Sequence, residues 1–191
     1  MLIVTAAGHA TDASRGDLRP RDVDRELVTV LLTQAEASSP LAAAVDGLDS
    51  DVTITHTING HVYGNGGLAF AARRHERVRW YVAAVGAAPG DTNALHWHGN
   101  LLSVRGQAVD TVALAAGDVA VADMIPDNVG IWLLRCLVGS HADDGMVARY
   151  LVEEEEVPSS LAANRPLAVD RRQSPLELGG STTVAAARGR P

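Results

Sequence analysis

Gly130-Ile131-Trp132-Leu133-Leu134-Arg135-Cys136-Leu137-Val138-Gly139-Ser140-His141-Ala142-Asp143-Asp144-Gly145-Met146 is an apolar run that ends on the chain's only cysteine and continues into a polar loop with a histidine and a methionine. The C-x4-H-x4-M spacing is that of a copper site: a thiolate on a strand end, then an imidazole and a thioether returned by the next loop. These are three of the four groups of a blue-copper centre, with strong Cys and His bonds and a weak axial Met. A single cysteine makes no internal disulfide, which adds weight to a soft-metal reading. A buried core cysteine beside an ordinary histidine and methionine accounts for the triplet equally well.

Outward from this stretch, turn signals recur about every 8–12 residues, the mark of an all-β sandwich or barrel. Glu26–Leu32 and Val78–Val85 are rich in β-branched and aromatic residues, and both read as buried strands. Val52–Thr55 precedes an Asn59-Gly60 turn. Ala94–Val104, Thr111–Ala115, Val119–Met124, Ile131–Cys136 and Met146–Val152 complete the series. Leu2–Val4 reads as one more short strand, Ala7–Arg21 as a linker, and Pro40–Val45 as a place where a short helix can open. After Glu153–Glu156 the residues to Pro191 lack periodicity, so a disordered tail is expected.

Composition narrows the function classes. The 191 residues carry a formal charge of −7, so there is no basic footprint for nucleic acid or an anionic bilayer. Hydrophobic residues make up 47% and aromatics only 4%, so the core must rest on Ala, Val and Leu. No stretch approaches a membrane-spanning helix, and the amino terminus lacks the pattern of a secretory signal.

A second constellation, His96-Trp97-His98-Gly99, falls on the expected strand Ala94–Val104. Two residues apart on a strand, both imidazoles point to one face and can share a metal or approach two neighbouring ones. A bare pair of this kind also occurs on solvated strand faces; its presence beside the Cys-His-Met loop in one small β domain is the more specific signal.

His56-Thr57-Ile58-Asn59-Gly60-His61-Val62-Tyr63-Gly64-Asn65, Val78-Arg79-Trp80-Tyr81, His96-Trp97-His98-Gly99-Asn100, Asp123-Met124-Ile125-Pro126-Asp127-Asn128 and the Gly130–Met146 stretch together resemble the carboxyl-terminal cupredoxin domain of multicopper oxidases. The ceruloplasmin, hephaestin and small-laccase branch is the most similar. The resemblance runs from about residue 2 to about residue 153. It implies a Greek-key β-sandwich over residues 22–156, residues 1–21 as the remnant of a preceding domain, and residues 157–191 as tail. It also implies copper as cofactor and an activity in which a phenol or metal ion is oxidised and dioxygen reduced to water. A second cupredoxin domain or a neighbouring subunit is the implied partner, since the remaining cluster histidines come from there. The family usually works outside the cytoplasm.

Three positions depart from the family pattern. Arg135-Cys136-Leu137 stands where the family has His-Cys-His, so a cation without a free lone pair and an alkyl group replace two cluster imidazoles; a guanidinium also repels copper. Asn93 stands where the first type 1 histidine belongs. Strand alternation turns His96 and His98 away from position 93, so neither replaces that ligand. Cys136, His141 and Met146 therefore remain as candidates for a mononuclear site, and His96 and His98 as remnants of a trinuclear one. On this ligand count the isolated chain does not run oxygen reduction. Three readings stay open: a partner-dependent part of an oxidase, a mononuclear copper-binding or electron-transfer module, and a copper-free structural sandwich. Asp110 is read as a turn residue or as an orienting group behind a ligand, His56 and His61 as structural or surface groups, and Trp97 and Trp132 as core aromatics.

Overall fold

A computed structural model describes residues 2–11, 19–35, 40, 54–68, 70–86 and 90–155. The described residues hold eleven strands and no helix: β1 (Arg25–Ala35), β2 (Ile54–Ile58), β3 (Phe70–Arg73), β4 (Val78–Val85), β5 (Thr92–Trp97), β6 (Leu102–Val104), β7 (Gln107–Val109), β8 (Thr111–Ala115), β9 (Val119–Met124), β10 (Gly130–Cys136) and β11 (Val147–Glu153). They form one sheet in the order β2-β1-β4-β9-β6-β7 and a second in the order β3-β11-β10-β5-β8. The β1–β4 and β11–β3 pairs are parallel and the others antiparallel. This is a cupredoxin-like β-sandwich.

Alternation decides which side chains meet between the sheets. On β4 Val78, Trp80, Val82 and Ala84 are buried, while on β10 Leu134 and Cys136 are, as the two-residue period of a strand requires. The scarce aromatics are concentrated at one point. Trp80 on the first sheet packs edge-on against Trp97 at 5.5 Å and Tyr150 at 6.1 Å, both on the second, with Phe70 at 5.1 Å. Among the described residues Trp80 Nε1 and Trp97 Nε1 have no hydrogen-bond partner, at a cost of about 1–3 kcal/mol each. Burying roughly 150–250 Å² per ring at about 25 cal/mol per Å² returns about 4–6 kcal/mol, so burial wins.

Ion pairs tie the segment that enters the sandwich to β4 and to the loop before it. Arg77 donates to Asp24 at 2.7 and 2.9 Å, Arg79 donates to Asp123 at 2.6 Å and to Asp22 at 2.9 Å, and Arg25 donates to Glu76 at 2.9 Å. Asn59-Gly60 makes the two-residue turn read from sequence: φ is 52° at Asn59 and 79° at Gly60, as a type I′ hairpin requires, and Ile58 pairs with His61 across it.

Two expectations are corrected. Leu2–Val4 forms no strand: it pairs with no neighbour among the described residues, and Leu2 and Val4 are exposed, so no described residue satisfies a strand's backbone groups there. Ala94–Val104 is not one strand. It ends at Trp97, turns at His98-Gly99 and resumes as β6 in the other sheet. Gly99 makes the crossing possible: its φ is +80°, and a Cβ there would collide with the Trp132 ring. The possible helix at Pro40–Val45 and the tail after Glu155 lie outside the described residues, apart from Pro40 itself.

Candidate metal centre

Two faces of the β5–β10 pair carry two different residue sets, as alternation anticipates. In register, Cys136 lies opposite Leu95 and Arg135 opposite His96. Asn93, Leu95 and Trp97 are buried, while Ala94, His96 and His98 are half-buried on the other side.

On the inner side Cys136 is 1% exposed and its sulfur is the focus of a ring of polar contacts. It accepts the Ala94 N–H at 3.4 Å and the Val138 N–H at 3.4 Å, and lies 3.5 Å from His141 Nδ1 and 3.8 Å from Asn93 Oδ1. Met146 is fully buried at the loop's return: Cys136 N–H donates to the Met146 carbonyl at 3.1 Å, and Met146 N–H to the His141 carbonyl at 2.8 Å. The loop between β10 and β11 thus closes on the end of β10, which brings the backbones of Cys136, His141 and Met146 together at one end of the sandwich.

Cys136 and His141 are spaced to share one soft metal ion. Sulfur at about 2.3 Å and imidazole nitrogen at about 2.0 Å from a shared ion, at a tetrahedral angle, lie about 3.5 Å apart, the separation found between Cys136 Sγ and His141 Nδ1. Asn93 is 2% exposed, and its Nδ2 is buried without a hydrogen-bond partner among the described residues. The missing second nitrogen ligand is therefore a poorly satisfied amide. Among the described residues no group of three or more His, Cys, Asp and Glu side chains is gathered to hold a metal; this candidate set depends on Met146 and Asn93 for its third and fourth members.

On the outer side His96 and His98 face each other edge-on, ring centres 4.5 Å apart, in a shallow cleft that Leu101, Asp110, Ile125 and Asp127 also line. Thr111 Oγ1 donates to Asp110 at 2.9 Å and lies 3.0 Å from His96 Nδ1. With its one proton committed to Asp110, the hydroxyl accepts from Nδ1–H, which leaves the lone pair of His96 on Nε2. Asp110 is thus linked to His96 through Thr111. His98 Nε2 and Arg135 Nε are buried and have no partner among the described residues. Burial, then His96, then Arg135 hold the His98 imidazole below its ordinary pKa, so it is neutral near pH 7. Two imidazoles, a guanidinium and the half-exposed Leu137 do not fit a three-copper cluster.

One contact was not visible in the sequence. His56, read as structural or surface, is 6% exposed and stacks on His141 with ring centres 3.8 Å apart and planes 16° from parallel. Its Nδ1 lies 3.1 Å from Thr33 Oγ1. Burial, then His141, depress its pKa. Pairing of β1 with β2 brings Thr33 opposite His56, and only that non-local register reveals the contact. His61 is exposed at the hairpin end, Trp97 is fully buried, and Trp132 is half-buried at the rim, its indole N–H donating to the Asn128 carbonyl at 2.9 Å.

Comparison with known proteins agrees with this architecture. Residues 34–156 match the family model of multicopper oxidase. Rat (Rattus norvegicus) hephaestin is 36% identical over 109 residues, 56% of this chain and 9% of that protein. Sheep (Ovis aries) ceruloplasmin is 26% identical over 167 residues, 80% of this chain and 16% of that protein. The chain therefore spans a small part of these relatives. Blue copper oxidase from Nitrosomonas europaea superposes with a TM-score of 0.54 and 20% identity over 81% of this chain and 51% of that one, which speaks to fold. With more than half its length matched by the family model, on a sandwich of the same fold, this chain belongs to the multicopper oxidases, a family of copper proteins.

Proposed function

We propose that this chain is a multicopper oxidase carboxyl-terminal domain that holds a single copper through Cys136, His141 and Met146, with Asn93 or water completing the set, and that it does not reduce dioxygen by itself. The observation that carries this reading is the convergence of two backbone N–H groups and His141 Nδ1 on the Cys136 sulfur. Bound copper supplies one-electron redox chemistry. The chain's own contribution is to keep the sulfur dry, to aim the Ala94 and Val138 amides at it, and to fix the His141 ring. The outer set lacks a way to continue an electron path. Arg135 and Leu137 flank the cysteine where two imidazoles are needed, so His96 and His98 alone cannot assemble a cluster.

The domain extends over residues 22–156, with 1–21 as an extension and 157–191 as a tail. Its partner is a second cupredoxin domain or a second copy, seated on the outer face of β10. Support for that surface comes from Ile131, Leu133 and Leu137, which are 58%, 41% and 46% exposed, beside Arg135 Nε and His98 Nε2, which have no hydrogen-bond partner among the described residues; exposed apolar patches mark interfaces. A phenol or metal ion would be the electron donor of the assembled oxidase. The copper-free structural reading rests on the loss of the nitrogen ligand at Asn93.

Copper titration of the purified chain, followed by metal analysis and oxygen-electrode measurement with a phenolic donor, tests the proposal. One copper per chain with no oxygen uptake is expected. Sustained oxygen uptake contradicts the ligand count, and no retained copper leaves the structural sandwich.

A further inference from the structure

We propose that His56 is a positioning residue for the candidate copper ligand His141, an inference that rests on the mononuclear reading above. The two imidazoles lie face to face at 3.8 Å, and His56 is in turn fixed by Thr33 at 3.1 Å. His141 sits in the middle of a loop with no strand of its own. Its backbone is held at Val138 and Met146, but a loop histidine retains two side-chain torsions to be fixed by packing. The His56 ring supplies the flat surface that fixes them.

The β2 hairpin that carries His56, with the residues just after it, is tied to that loop and to the start of β11 at three further points. His56 N–H donates to the Asp144 carbonyl at 3.3 Å, Tyr63 N–H to the Gly145 carbonyl at 2.9 Å, and Gly64 N–H to the Val147 carbonyl at 2.8 Å. Gly145 has a φ of +118°, and a Cβ there would stand 2.9 Å from the His56 carbonyl oxygen. Backbone and ring contacts thus set one registry between the β2 hairpin and the Cys-His-Met loop. The registry preorganises the His141 Nδ1 to Cys136 Sγ distance in the metal-free chain. His56 itself is a poor candidate for a direct ligand: two nearly parallel rings 3.8 Å apart cannot both place one ion in their planes.

His56→Leu keeps bulk and removes the ring, His56→Phe keeps the ring and loses the Thr33 contact, and Thr33→Val releases the His56 ring alone. Two readouts decide. In the metal-free protein, the His141 ring-proton NMR shifts report the stacked neighbour directly. In the copper-titrated protein, a competition titration reports affinity and the thiolate-to-copper absorption reports ligand geometry. His56→Leu is expected to move the His141 ring signals and to weaken copper binding by about 10-fold or more, the scale on which outer groups act on metal ligands. His56→Phe is expected to restore most of the affinity. Unchanged His141 signals, affinity and absorption in a folded His56→Leu protein overturn the proposal. If His56→Leu does not fold, unchanged His141 signals in Thr33→Val overturn it. If wild type binds no copper the mononuclear reading fails, while the metal-free NMR comparison still decides the role of His56.

Discussion

Tyr150→Phe isolates the hydrogen bonds that hold the His96-Trp97-His98 segment, because the ring and its packing against Trp80 remain. The hydroxyl donates to the His98 carbonyl and accepts from Asn100 Nδ2 at 3.0 Å, and Tyr150 and Asn100 are both buried. Asn100 in turn accepts the Asp127 and Asn128 amides at 3.3 and 3.4 Å, so the loss spreads to the loop before β10. Two buried bonds at a net value of about 1 kcal/mol each, plus part of the penalty of about 1–3 kcal/mol for an unsatisfied group, give a loss of about 2–4 kcal/mol.

Alkaline pH supplies a second signature. Burial pushes the Tyr150 phenol up to about 12. The folded pKa lies above the unfolded value near 10, so the protonated form favours folding. Its stabilisation, about 2–3 kcal/mol for a shift of this size, is full below pH 10 and lost as pH rises from 10 towards 12. Urea unfolding of wild type and Tyr150→Phe at pH 7 and across pH 9–12 measures both effects. Tyr81 is also pushed up to about 12, so the variant should show a shallower alkaline loss rather than none. A pH 7 difference below about 0.5 kcal/mol, with an unchanged alkaline slope, would refute the assignment of this network.

Asn93→His removes the unpartnered amide nitrogen and restores an imidazole beside Cys136; copper affinity should rise by at least the roughly 10- to 100-fold scale of outer-shell effects, and a competition titration showing equal or weaker binding would count against Asn93 as the lost ligand position. Gly99→Ala combines a φ of +80° with a collision against Trp132; a destabilisation of about 2–4 kcal/mol and a shifted tryptophan emission are expected, and a fully stable variant would mean that the β5–β6 crossing relaxes freely.

Much of the sandwich was legible because burial and turn chemistry act locally. Val78–Val85, Thr111–Ala115 and Val119–Met124 coincide with β4, β8 and β9, and each combines β-forming residues with flanking turn signals. Phe70–Arg73 and Gln107–Val109 escaped notice: β3 has four residues, two of them alanine, and the three-residue β7 exists by pairing with β6. The break after Trp97 was hidden because His98-Gly99-Asn100 carries no proline and its apolar alternation resumes at once. Its cause is the Trp132 ring above Gly99, a contact distant in sequence.

For the candidate site, strand parity correctly separated Asn93 and Cys136 from His96, His98 and Arg135. The link from Asp110 to His96 came into view only with Thr111 between them. The stack of His56 on His141 could not be read at all, since it depends on how the β2 hairpin packs against the Cys-His-Met loop. Sequence spacing along one strand carries the first kind of information and none of the last.

On the proposed reading Cys136 is a copper thiolate on a chain without a working cluster. The most direct test of that reading is the visible absorption of copper-titrated wild type against Cys136→Ser. An intense thiolate-to-copper band in wild type, absent from a folded Cys136→Ser protein, is the expected result. Copper retention without that band, or with a spectrum that the serine substitution leaves unchanged, would contradict it.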